Sequence, residues 1–182
     1  MTVAKPILAL AVTGALVSLP ASSSSGAGAT GKNAAGKTTG EQALLRSAEL
    51  WATIDVCNPA NQTNTVGIRG SMPGDGRSGD EMYMRFRLQY LDSPTKHWVD
   101  LANGADSGFV AVGAARSARQ TGRSFQLVPV AGKPAVELRG VVGFQWRRGA
   151  RIEYTVSRPT TAGHRSLAGA DPKGFSAADC SL

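Results

Sequence analysis

Two side chains on which much enzyme chemistry depends are nearly missing from this 182-residue chain, which has two histidines and two cysteines. With only His97 and His164 available, acid–base relays near neutral pH and histidine-rich metal centres have little material to work with. Neither histidine belongs to an H-E-x-x-H pattern, and no G-x-S-x-G nucleophile elbow occurs. His97 precedes Trp98 at the start of an expected strand, and His164 falls in the loop TTAGHRS. An extracellular hydrolase would therefore need a triad assembled in space from distant segments, to which no motif points. No catalytic residue, metal site or cofactor is assigned.

A long hydrophobic run is also lacking. The longest apolar stretch, ILALAVTGALVSL from Ile7 to Leu19, follows Lys5 and precedes Pro20 and a patch of small residues. It is short for a membrane span, and its charged, apolar, small order is that of a secretory signal peptide. Residues 1–29 are expected to be that segment, with cleavage between 21 and 29. No cysteine follows the run to carry a lipid anchor, so a soluble protein released outside the cell is expected. Acidic residues are outnumbered, 13 against 20 Lys and Arg, for a net charge of +7. Such a balance keeps a protein soluble and gives weak attraction for anionic polymers.

What is present begins with a linker. Residues 30–45 continue a stretch built mostly of Gly, Ala, Ser, Thr and Lys, which buries too little to offset its backbone entropy. Within it, GKNAAGKT (Gly31 to Thr38) fits the letters of a phosphate-binding loop. A working loop needs a buried strand in front and a helix behind, whereas here SSSSGAGAT precedes it and TTG follows, so no nucleotide partner is expected. The segment EQALLRSAEL from Glu41 could form a turn or two of helix.

Residues 46–182 read as one all-β domain. In EMYMRFRLQY, Met82, Met84, Phe86, Leu88 and Tyr90 share one face while Glu81, Tyr83, Arg85, Arg87 and Gln89 share the other. The same period of two runs through AVELRGVVGFQW and RIEYTV, with Arg147-Arg148-Gly149 between them as the tip of an antiparallel hairpin. Weaker strands are expected in LWATIDVC, TVGIRGSM, HWVDL, GFVAVG, SFQLVPV and SAADCSL. Nine short runs, each with one hydrophobic side, are most simply buried sheet against sheet in an antiparallel β-sandwich; a closed β-barrel is the alternative. Cys57 and Cys180, an even pair in an exported chain, are expected to form a disulfide worth up to about 5 kcal/mol by chain entropy, tying the first strand to the last.

Among surface features, Asp75, Asp80 and Glu81 could offer oxygens to calcium, but their spacing does not match an EF-hand and a solvated turn is expected. Asn61-Gln62-Thr63 is a glycosylation sequon, relevant only in a host that glycosylates exported proteins. The most suggestive feature is basic: Arg85, Arg87, Arg139 and Arg151 occupy outward positions of three strands, with Arg147 and Arg148 at the hairpin and Arg116, Arg119 and Arg123 in RSARQTGR. As neighbours they would form a stripe for phosphate or carboxylate, unless Glu81, Glu137 and Glu153, which share that phase, pair with them. Trp146 is in phase with the core, which leaves Trp98 as the candidate for stacking on a sugar.

The segments LRGVVGFQWRRG, TTAGH and ADPKGFSAADC together resemble a group of uncharacterised exported proteins of high-GC actinobacteria, whose domains are pictured as immunoglobulin-like or fibronectin-type-III-like sandwiches. The resemblance implies a fold and no chemistry. The expectation is an exported, non-catalytic sandwich with a binding or structural role at the cell surface or in the medium. A wall polymer, a polysaccharide or another surface protein would be its partner.

Overall fold

A computed structural model describes residues 39–165 and 167–182; the expected export segment, the phosphate-loop match and most of the expected linker lie outside the described residues. Residues 39–45 are helical, and Leu44 enters the hydrophobic core. The strands are β1 (Trp51–Cys57), β2 (Thr65–Met72), β3 (Glu81–Asp92), β4 (His97–Asp100), β5 (Asp106–Ala114), β6 (Arg119–Gln126), β7 (Glu137–Arg148), β8 (Arg151–Pro159) and β9 (Asp179–Ser181).

They form two antiparallel sheets. The smaller has the order β1-β2-β6; in the larger, β3 and β7 pair along ten registered positions from Glu81↔Arg147 to Tyr90↔Leu138. Each long central strand carries two shorter ones on its other edge: β5 and β4 on β3, β8 and β9 on β7. First-second-fifth against third-sixth-seventh is the immunoglobulin-like arrangement, with β6, β7 and β8 standing as the fifth, sixth and seventh strands. Among the described residues the two sheets have separate strand orders and do not close into a barrel.

The period of two explains the layering. Met82, Met84, Phe86 and Leu88 of β3 are at most 1% exposed, and they meet Val142, Phe144 and Trp146 of β7 on the same face. Ala52, Ile54, Val66 and Ile68 of the smaller sheet close the core from the other side. Each such aliphatic or aromatic side chain contributes about 1.5–3 kcal/mol on burial. Trp146 satisfies its indole N–H by donating to the Pro73 carbonyl at 2.9 Å. The sheets are in close contact at Gly140, where an added Cβ would lie 2.7 Å from Thr160 Cγ2 and 2.8 Å from Ile68 Cδ1.

Three local expectations are corrected. The strand expected at Ser124–Val130 begins five residues earlier and ends four earlier, at Arg119–Gln126. Its backbone follows β2 through a mostly polar stretch, and Leu127–Val130 leave the sheet. The hairpin turns at Gly149-Ala150, with Gly149 at φ 57°, so Arg147 and Arg148 belong to β7. A register shift beside Trp146 turns Ile152 out of the core phase, leaving it 49% exposed.

The Cys57–Cys180 disulfide is formed, with 5.7 Å between the Cα atoms, and it joins β1 of one sheet to β9 of the other. The segment after β8 folds back over the free edge of β1: Ile54 exchanges backbone hydrogen bonds with Ala177 at 2.9 and 3.0 Å, and Asp171 N–H donates to the Asp55 carbonyl. Among the described residues no helix is long and apolar enough to cross a membrane.

Candidate functional site: the outer face of the larger sheet

The outward positions of β3 and β7 alternate with the core, so Tyr83, Arg85, Arg87 and Gln89 lie beside Gln145, Gly143, Val141 and Arg139 on one open surface. β5 adds Phe109 opposite Arg85, and β4 adds Trp98 and Asp100 beside the end of β3. Four of the nine arginines singled out in the sequence, Arg85, Arg87, Arg139 and Arg147, therefore share this face. Arg148 and Arg151 lie at the β7–β8 hairpin: Arg148 donates to Asp80 at 2.6 Å and Arg151 donates to Glu153.

The four differ in what remains of their charge. Arg85 forms a bidentate pair with Asp106, and Arg87 donates to Asp100 at 2.6 Å. The Arg85 guanidinium in turn holds the Asp106 carboxyl below its ordinary value. Arg139 and Arg147 are held instead by neutral groups. Arg139 Nε donates to Gln89 Oε1 at 2.8 Å and its guanidinium lies 4.4 Å over the Trp98 ring. Arg147 Nε donates to Gln145 Oε1 at 2.8 Å, with its guanidinium 4.1 Å over Tyr83 and 5.1 Å from Phe109. Burial lowers the Arg139 pKa, but a guanidinium starts so high that it stays charged. A ring beneath and an amide at Nε fix the plane of each group. Among the described residues Arg139 Nη1 and Nη2 and Arg147 Nη1 make no hydrogen bond, which leaves these donors to an anion.

Sequence reasoning missed the partners Asp100 and Asp106 and the two glutamines. The glutamines were legible in principle as outward-phase neighbours, whereas the aspartates sit at the margins of the weakest strands. Of the acids expected to neutralise the stripe, Glu81 accepts instead from the Tyr83 hydroxyl at 2.8 Å. Trp98 is half-buried, and Arg139 already covers its ring. Arg116, Arg119 and Arg123 lie apart from this face, in the turn before β6 and along it.

The two histidines lie at separate places with different partners. His164 stacks on Trp51 at 4.3 Å, shares a 2.8 Å hydrogen bond with Thr161, and has its pKa lowered by burial. His97 opens β4 opposite Asp92, whose carboxylate accepts from Thr95. The loop expected to be a solvated turn instead buries Asp80, whose side chain is 0% exposed between Arg148 and Arg77. Burial pushes Asp80 up, but the hydrogen bond from Arg148, helped by the neighbouring Asp75, holds it below its ordinary value; burial raises Asp75 beside it. Among the described residues no three His, Cys, Asp or Glu side chains are grouped to hold a metal ion.

Fold and surface thus define an immunoglobulin-like β-sandwich with an arginine–aromatic outer face. No protein-family model matches the chain, and no curated protein does. Among solved structures, the chain is similar to the Pseudomonas fluorescens alkylpurine DNA glycosylase AlkC bound to DNA containing an abasic site analog. The two are 12% identical with a TM-score of 0.31, over 65% of this chain and 32% of that one. The chain thus spans about a third of that protein, and a likeness at this level carries no argument about fold or activity.

Proposed function

We propose that this chain is an exported, non-catalytic binding module that takes an extended anionic polymer across the outer face of its larger sheet. The carrying observation is the pair Arg139 and Arg147, each laid on an aromatic ring, tethered at Nε by a glutamine and, among the described residues, making no ion pair with a carboxylate. Eight residues apart on β7, they stand about 26 Å from each other at the usual strand rise, a span suited to a repeating polyanion. Export rests on the sequence of residues 1–29, and the +7 charge favours encounter with wall polyanions.

The test is a titration of the full chain with a soluble polyphosphate polymer over a series of salt concentrations, with neutral polysaccharide as control. Two phosphate contacts give a slope of log K against log salt of roughly −1.8 at the −0.9 per contact of a dense polyanion. Replacing both Arg139 and Arg147 by Gln is expected to abolish most of that slope, whereas Arg85→Gln, which frees Asp106, changes affinity through an added negative charge only. Salt-independent binding, or a double variant that binds as the parent does, would refute the reading. Binding to neutral polysaccharide that is lost in Trp98→Ala would replace it with sugar recognition.

A further inference from the structure

At the end of the sandwich opposite the β7–β8 hairpin, the two sheets part around a cleft of about 650 Å³. Leu138 is its floor, 2% exposed, and Leu101, Leu127 and Leu182 form its walls. That volume lies within the range of small-molecule sites, and no charged side chain lines it. Three large apolar residues stand at its rim in conspicuous exposure: Val128 at 92%, Val130 at 67% and Val136 at 39%. These are half of the exposed large hydrophobic residues among those described, and all three belong to the single connection between β6 and β7. Exposed apolar side chains gathered around an uncharged cleft mark a surface built to be covered.

The charge around the cleft limits what covers it. From Ser107 to Val136 the chain has no acidic residue but carries Arg116, Arg119, Arg123 and Lys133. None of these four makes an ion pair among the described residues. Arg123 lies on β6 three residues before Gln126, which lines the cleft, whereas Arg119, registered on Met72, lies toward the far end of that strand. Lys133 closes a turn onto the Val130 carbonyl at 3.1 Å and is exposed on the rim loop.

We infer that this cleft binds a single alkyl chain bearing an anionic headgroup, with the chain between Leu127 and Leu138 and the headgroup toward Lys133 and Arg123. The ligand is a free monomeric amphiphile of the fatty-acid class. The site is independent of the polyanion face, because its lining includes none of that face's arginines or aromatic platforms.

Isothermal titration of the full chain with octanoate, decanoate and dodecanoate, each below its micelle concentration, tests the inference. Saturable binding of one molecule is expected, tightening about fourfold per methylene as each CH₂ leaves water. Val130→Asp, at a rim position that does not support the core, is expected to weaken dodecanoate binding at least tenfold. Lys133→Glu is expected to weaken dodecanoate but not dodecanol, with the circular dichroism of both variants unchanged. Absence of saturable binding, insensitivity to Val130→Asp, or binding to anionic vesicles without binding to monomeric dodecanoate would each overturn it. The last outcome would mean that the loop enters a lipid surface and the cleft holds no chain.

Discussion

Removing the disulfide is expected to cost this fold more than any single core truncation, and the size of the effect follows from where the bridge sits. Cys57 and Cys180 are 123 residues apart, so the bond closes almost the whole described domain into one loop. Chain entropy assigns about 5 kcal/mol to a closure of that length, acting on the unfolded state. The folded state loses little in the double variant Cys57→Ala, Cys180→Ala. β1 stays joined to the last segment by the Ile54–Ala177 pair, and β9 stays registered on β7 through Leu138↔Cys180. In urea denaturation followed by tryptophan fluorescence, the midpoint is expected to fall by about 2.5 M, given a slope of about 2 kcal/mol/M for a domain of this size. The slope itself is expected to rise, because an unbridged chain exposes more surface when it unfolds. Reducing the parent protein is expected to give the same shift. A loss below about 1 kcal/mol with an unchanged slope would refute the reasoning, since the bridge would then constrain nothing that the unfolded chain does not already constrain.

Three further outcomes follow from packing and charge. Gly140→Ala places a methyl within 3 Å of Thr160 and Ile68; overpacking is expected to cost about 1–3 kcal/mol, read as a lower melting temperature. Asp75→Asn keeps an acceptor for the Arg77 amide and gives the unpartnered Asp80 Oδ2 a donor. It is expected to stabilise the protein at pH 7 by about 1 kcal/mol, or about 3 °C. Because burial raises the Asp75 pKa, the parent becomes protonated as pH falls through that raised value, and the advantage of the variant is expected to vanish there. His164 has a folded pKa below its ordinary value of about 6.5, so the stability of the Trp51–His164 stack is present above that pH and lost as pH falls through it. Melting curves from pH 8 to 5 are expected to show this step in the parent and not in His164→Gln.

The central strands were legible because β3 and β7 are buried on one face only, so Met82, Met84, Phe86 and Leu88 alternate cleanly with Tyr83, Arg85, Arg87 and Gln89. β6 was not. It is the edge of the smaller sheet, and its positions Arg119, Thr121 and Arg123, registered against Met72, Gly70 and Ile68, reach past the core toward water. Polarity on its inward side erased the period, while the apolar LVPV that follows drew attention to a loop. The arginine face was half legible. Alternation placed Arg85, Arg87, Arg139 and Arg147 on one surface, but which arginine keeps its charge depends on β4 and β5 lying against β3. That neighbour relation brings in Asp100 and Asp106, and no local pattern encodes it.

The chain's own tail across β1 has a consequence for assembly. A sheet grows into a fibre only when both of its edges can accept a strand. In the smaller sheet Ala177 and Asp171 already occupy hydrogen-bonding positions along β1, so among the described residues β6 is the edge left to accept a partner strand. Two molecules meeting through that sheet would seal each other's open side, and association by this route would end at a pair.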